Sequence, residues 1–385
     1  MPMDSGVPAA ATGLLLRLKD GLAKASDSVL ACQDLTTTPA VLQKKIAALL
    51  PAIRSRTRES QKPPGPDNDT DKPTAGMLGN DITVEVTLAS SDPRILQVVL
   101  SSSEPCGTDS QLLLYQPEGN SWQRVMRWSA PLVPEKKPGN DTATSFGDFF
   151  VTAILPGASP QDWRAVVAHG TPWCTSRFSG FGIAVLAPSS TGAARVVWQA
   201  DRGYSRGDFP IRLKVVGPNT FEFRTNVAGF GTEEFERTAV YRYRVRGDHV
   251  ERVEPIAVNG RGFVDEWLES PWEEAVLQTA MSARSKLQIA HTLYAQQEHE
   301  KTHAGHETYI EHTNGPVLAC AEAKTYQVQM NARRNILVVG KPGGDTQTLP
   351  KTFFTIRETG SGYEMVSVSG NPNPRCAGPD LMLKH

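Results

Sequence analysis

The chain has 385 residues, with 40 Lys+Arg against 41 Asp+Glu and a formal net charge of −1. This balance excludes a chain that binds polyanions through overall charge, and a nucleic-acid reading would need a local basic stripe. Hydrophobic residues make up 39% and charged residues 21%, enough apolar material for packed cores and too much for a disordered chain. At roughly 150 residues per domain, two or three domains are expected.

The N-terminal segment 1–57 reads as a helical hairpin. Leu15, Leu18, Leu22, Ala25 and Val29 recur at helical spacing. Thr38 before Pro39 is an N-cap and first-turn pair, and Leu42, Ile46, Leu49, Leu50 and Ile53 form the next apolar face. These faces either seal each other or cap a β domain. The run Leu14-Leu15-Leu16 is broken at once by Arg17, Lys19 and Asp20, so no signal-peptide h-region is visible. The expectation is a cytoplasmic protein or a mature chain that has lost a leader. No stretch approaches the length of a membrane-spanning helix, so no membrane span is expected.

Residues 58–80 are rich in Pro and charge and contain almost no core-forming side chains, which predicts a linker. Asp67, Asp69 and Asp71 imitate the start of a calcium loop, but Lys72 and Leu78 stand where that loop needs Gly and Glu. Asn68 and Asn140 begin glycosylation sequons.

From 81 to 264 short apolar segments alternate with turn residues, which predicts a propeller-like or stacked antiparallel β-repeat domain. One internal echo supports repetition. Ile95…Val98-Val99 is followed by Cys106, and Trp163…Val166-Val167 by Cys174, each cysteine seven residues after the second valine. Segment 238–256 is the clearest hairpin. Tyr241, Tyr243 and Val245 alternate with Arg242, Arg244 and Arg246 around a Gly247-Asp248 turn. The arginines could suggest a nucleic-acid platform. A two-residue turn sets Arg244 opposite Glu251, however, which makes them a charge-paired face, and no nucleic acid is expected.

Residues 265–304 are expected to form one long helix leading to a small C-terminal β unit, 305–385. Ser270-Pro271-Trp272-Glu273 supplies a start signal inside that stretch. The fold class is therefore mainly β with α additions.

Five cysteines give no zinc-finger spacing. The echo pairs Cys106 with Cys174, while Cys320 and Cys376 bracket the C-terminal unit, leaving Cys32 free. Two bridges imply a periplasmic or extracellular location.

The sharpest catalytic motif is His299-Glu300-Lys301-Thr302-His303, a five-residue resemblance to zincin metalloproteases. On a helix, His299 and His303 would share a face as zinc ligands, with Glu300 activating a metal-bound water. Glu322 or Glu307 would complete the ligand set. Against this stand the polar helix end around it and Lys301, a charge where such helices carry uncharged residues. His169 beside Cys174 is a weaker thiol–base pair. Among the tryptophans, Trp122, Trp128, Trp163 and Trp198 read as packing residues, whereas Trp173 in a loop is a ligand-contact candidate.

No nucleophile elbow, phosphate loop or dinucleotide fingerprint occurs. The leading expectation is a non-enzymatic binding or structural module of the bacterial envelope or exterior, without cofactor, taking a protein or carbohydrate ligand. The alternative is a zinc hydrolase.

Overall fold

The computed structural model describes residues 9–59, 81–104, 107–130, 149–157, 159, 162–170, 178–205, 211–229, 232–297, 306–338 and 344–381. They form two compact units. The first comprises Met1–Gly203, Leu213–Phe221 and Val245–His249; the second comprises Tyr204–Arg212, Glu222–Arg244 and Val250–His385.

The architecture is mostly β, in four antiparallel sheets. Sheet one is the meander β1 (Ile82–Ser91), β2 (Arg94–Glu104), β3 (Gly107–Glu118) and β4 (Ser121–Ser129). Sheet two repeats that order with β5 (Phe150–Leu155), β6 (Arg164–Gly170), β7 (Phe178–Ala187) and β8 (Arg195–Ser205). Sheet three comprises β9 (Arg212–Gly217), β10 (Thr220–Gly229), β11 (Thr232–Arg246) and β12 (His249–Arg252). Sheet four contains β13 (His306–Ala319), β14 (Thr325–Val338), β16 (Thr352–Glu358) and β17 (Tyr363–Ser369), with β15 (Gly344–Thr348) beside part of β14. The sequence echo falls on β2 and β6, the second strand of each of the first two sheets.

In the first unit, α1 (Ala9–Ala31), α2 (Pro39–Ala47) and α3 (Leu50–Glu59) cover one face of sheet one. Leu18, Leu22, Leu30, Leu42 and Ile46 pack on Val84, Val98, Leu113, Tyr115 and Trp122. Each fully buried side chain of this kind contributes about 2 kcal/mol. The helical faces therefore cap a β layer. The opposite face of sheet one packs on sheet two, where Ile95, Val99, Leu112 and Met126 meet Trp163, Ala165, Val167 and Leu186. Strand alternation sends Val98 to the helices and Val99 to the other core. Gln43 of α2 accepts a hydrogen bond from the Val86 amide of edge strand β1 (3.2 Å), which blunts that edge.

In the second unit, the expected single long helix is instead α4 (Gly260–Glu269), α5 (Trp272–Ala275), two 3₁₀ turns at Val276–Gln278 and Met281–Ala283, and α6 (Arg284–Gln297). Pro271 forces Ser270 into extended backbone (φ −71°, ψ 145°), which ends α4. The Ala280 amide then bonds to Met365 O (2.9 Å) rather than to a helical carbonyl. Trp267 Nε1 donates to Thr279 Oγ1 at 3.0 Å, fixing the same bend. The bent segment nevertheless buries one shared core. Phe263, Val264, Trp267, Ala275 and Leu287 all pack on Val328, Phe354, Ile356 and Met365.

Candidate functional site

The zinc motif His299, Glu300 and His303 lies outside the described residues, as do Trp173, Cys106 and Cys174. Glu322, offered as a third metal ligand, accepts a hydrogen bond from the Arg375 guanidinium at 2.7 Å. That bond is the main reason its carboxyl sits below its ordinary pKa. Among the described residues, no group of three or more His, Cys, Asp or Glu side chains is placed to hold a metal. Cys320 is disulfide-bonded to Cys376, and Cys32 is an exposed thiol. No described helix is long and apolar enough to cross a membrane.

In the first unit, aromatic side chains gather where β4 ends, β5 begins and β6 ends. The ladder sets His169 of β6 between Phe150 of β5 and Gly182 of β7. Trp128 of β4 lies against this row from the facing sheet, its ring centroid 5.5 Å from His169 and 6.2 Å from Phe150. Phe149 and Phe181 meet alongside at 6.2 Å. Trp128, Phe149, Phe150 and His169 are all half-buried, and Trp128 and Phe150 also pack against the core of Ile95, Leu112 and Trp163.

Gly182 is required here. A Cβ on it would stand 2.7 Å from His169 Nε2, so only a bare backbone lets the imidazole lie across β7. Burial lowers the His169 pKa, against the Gly170 carbonyl near Nδ1 and the charge of Asp201. The imidazole is therefore neutral at pH 7 and presents a ring with one donor and one acceptor nitrogen.

Trp122 and Trp163, at 3% and 1% exposure, are core residues, as the strand pattern implies. Trp128 is in a strand as well, yet its end-of-strand position leaves it partly open. It still packs against the core between sheets one and two, as the packing reading expects.

Two further charged clusters are internal. Under α1, Lys19 pairs with Asp109 at 2.7 Å beside a cavity of about 10 Å³ lined by Leu15, Leu22 and Ser102. That space suits a single water and no larger ligand. In the second unit, Glu266 of α4 accepts from Arg237 (3.0 Å) and from Arg252. Arg252 also donates to Val240 O (2.9 Å), and its guanidinium lies 4.7 Å from the Tyr241 ring centre. Burial works against both arginines' charge. The neighbouring carboxylates, Glu269 and Glu266 for Arg237 and Glu266 for Arg252, nonetheless raise both pKa values above the ordinary value. The expected Arg244–Glu251 pair is present at 3.5 Å, whereas Arg242 turns to Glu222. Arg242 and Arg244 of that hairpin are thus committed to carboxylates.

No family model matches the chain. No curated protein matches it either. Among solved structures, the chain is similar to the GH93 alpha-L-arabinofuranosidase of Fusarium graminearum, solved as a complex with arabinobiose. The identity is 9% and the TM-score 0.27; the match covers 75% of this chain and 66% of the other. A superposition of that quality assigns neither activity nor ligand.

Proposed function

We propose that this chain is a non-enzymatic binding module of the extracellular or periplasmic space, with a carbohydrate ligand at the aromatic end of its first unit. The observation that carries this reading is the half-buried group Trp128, Phe150 and His169. A half-buried indole held beside other rings offers its open part as a flat apolar surface to the C–H face of a sugar, gained at little cost in side-chain entropy. The neutral His169 and the exposed Asp201 add the polar groups that hydroxyls require. The location is supported by the Cys320–Cys376 bridge, since disulfides persist in oxidising compartments.

The test is a fluorescence titration of the full chain with a panel of neutral and acidic oligosaccharides, beside Trp128→Ala. Saturable quenching or a blue shift that Trp128→Ala abolishes supports the reading. Saturable binding that survives in Trp128→Ala moves the site elsewhere. No response across the panel rejects carbohydrate as the ligand class and leaves a protein partner.

A further inference from the structure

The segment that follows β17 has almost no burial of its own. Across residues 370–381 only Cys376 is buried. The segment nevertheless runs antiparallel to the end of β13, an edge strand of sheet four. The Cys320 amide points inward to Thr325 O at 2.9 Å, so the alternate amides of β13 point away from β14. Two outward amides, one in β13 and one just beyond its end, are taken by the C-terminal segment. Ala321 N donates to Arg375 O at 2.8 Å, and Val317 N donates to an Asp380 carboxylate oxygen at 3.0 Å. The disulfide lies between these two contacts. At the other edge of the sheet, Ala280 covers β17 with no covalent link. Among the described residues, the β13 edge is the one closed by a bond that chemistry can open.

We infer that Cys320–Cys376 is a reducible latch: a dithiol reductant frees residues 370–381 and uncovers the outward edge of β13. Cys320 is the more exposed half of the bridge. A reductant thiolate attacks the Cys320 sulfur, the S–S bond breaks, and Cys376 leaves as a thiolate that takes up a proton. The reductant's second thiol then displaces Cys320, so two protein thiols form and the reductant becomes a disulfide. What still holds the segment includes the hydrogen bonds to Ala321 and Val317, the exposed Arg375–Glu322 pair and the attraction between Asp380 and Arg261. Surface pairs contribute little, and these contacts do not offset the entropy of ordering some twelve residues.

The test is hydrogen exchange on the full chain, oxidised and after dithiothreitol, with reduction verified by thiol titration. The expected result is at least tenfold faster exchange at Val317 and Ala321 after reduction, with β16 unchanged, and trypsin cleavage after Arg375 in the reduced form alone. Cys376→Ser should show the open pattern without reductant. Asp380→Ala keeps the bridge, so Ala321 should stay protected while Val317 exchanges faster. Unchanged exchange in fully reduced protein overturns the latch. So does simultaneous loss of protection at β13 and β16, which would make the bridge a staple for the whole sheet.

Discussion

Arg252 and Glu266 form an ion pair inside the second unit, with side chains 3% and 4% exposed. Glu266 serves Arg237 with its other oxygen, so one carboxylate on α4 neutralises two arginines from β11 and β12. Replacing Glu266→Gln leaves two buried cations short of a counter-charge. The expected loss is about 3–5 kcal/mol of stability, read as a lower urea midpoint. The double replacement Arg252→Met with Glu266→Leu should cost less than the sum of the single changes, because Arg252 leaves together with its partner while Arg237 keeps Glu269 and Asp265.

Gly182→Ala should be destabilising by about 1–3 kcal/mol, because its new methyl falls on His169 and the imidazole must leave its place across β7. Displacing the ring also removes the neighbour of Trp128, so the tryptophan emission should change together with the melting temperature. A variant that melts like the parent and keeps its emission would show that β7 yields without moving the aromatic group.

His312 sits on β13 at 1% exposure, and burial pushes its pKa down to about 4. The folded state holds it neutral, whereas the unfolded chain protonates it near 6.5. The unfolded state therefore binds more protons at acid pH. Its stabilising share is complete above 6.5 and is lost as pH falls towards 4, by about 3 kcal/mol in all. In His312→Leu the urea midpoint should fall less steeply over that window than in the parent. Identical slopes would assign the acid lability to other groups.

The binding reading also predicts how the His-rich segment behaves. After incubation with excess zinc and desalting, the parent should retain no stoichiometric metal and should match His299→Ala. Stoichiometric zinc that His299→Ala loses would replace the binding reading with a metallohydrolase, and peptide substrates would be assayed next.

The strand spacing and the echo at Val98-Val99 and Val166-Val167 made the β-repeat legible before any coordinates. Alternation is local, and each strand buries one face whatever its neighbours are. The helical character of the N-terminal segment was legible for the same reason, although the expected two-helix hairpin is three helices, with α2 ending at Ala47 and α3 starting at Leu50. The bend at Thr279–Ala280 was not, since a helix and a bent segment over one core place Trp272, Ala275 and Leu287 on the same side. The aromatic group was only partly visible. His169 stood out as a titratable residue, but its partner Trp128 lies 41 positions earlier, and nothing in the spacing joins them.

The sequence by itself determined the class of fold, the start of the second helix at Pro39, and the paired charges of the Arg244–Glu251 hairpin. These depend on backbone preference and on neighbours within one turn or one hairpin. Only the tertiary structure decided that α1–α3 cap sheet one, that Glu266 answers two arginines, and that the edge of β13 is closed by a segment bonded 56 residues away. Each of those depends on which apolar faces and which unpaired backbone groups meet after the chain has collapsed. That choice is set by burial and hydrogen-bond satisfaction over the whole unit, and no local window of residues contains it.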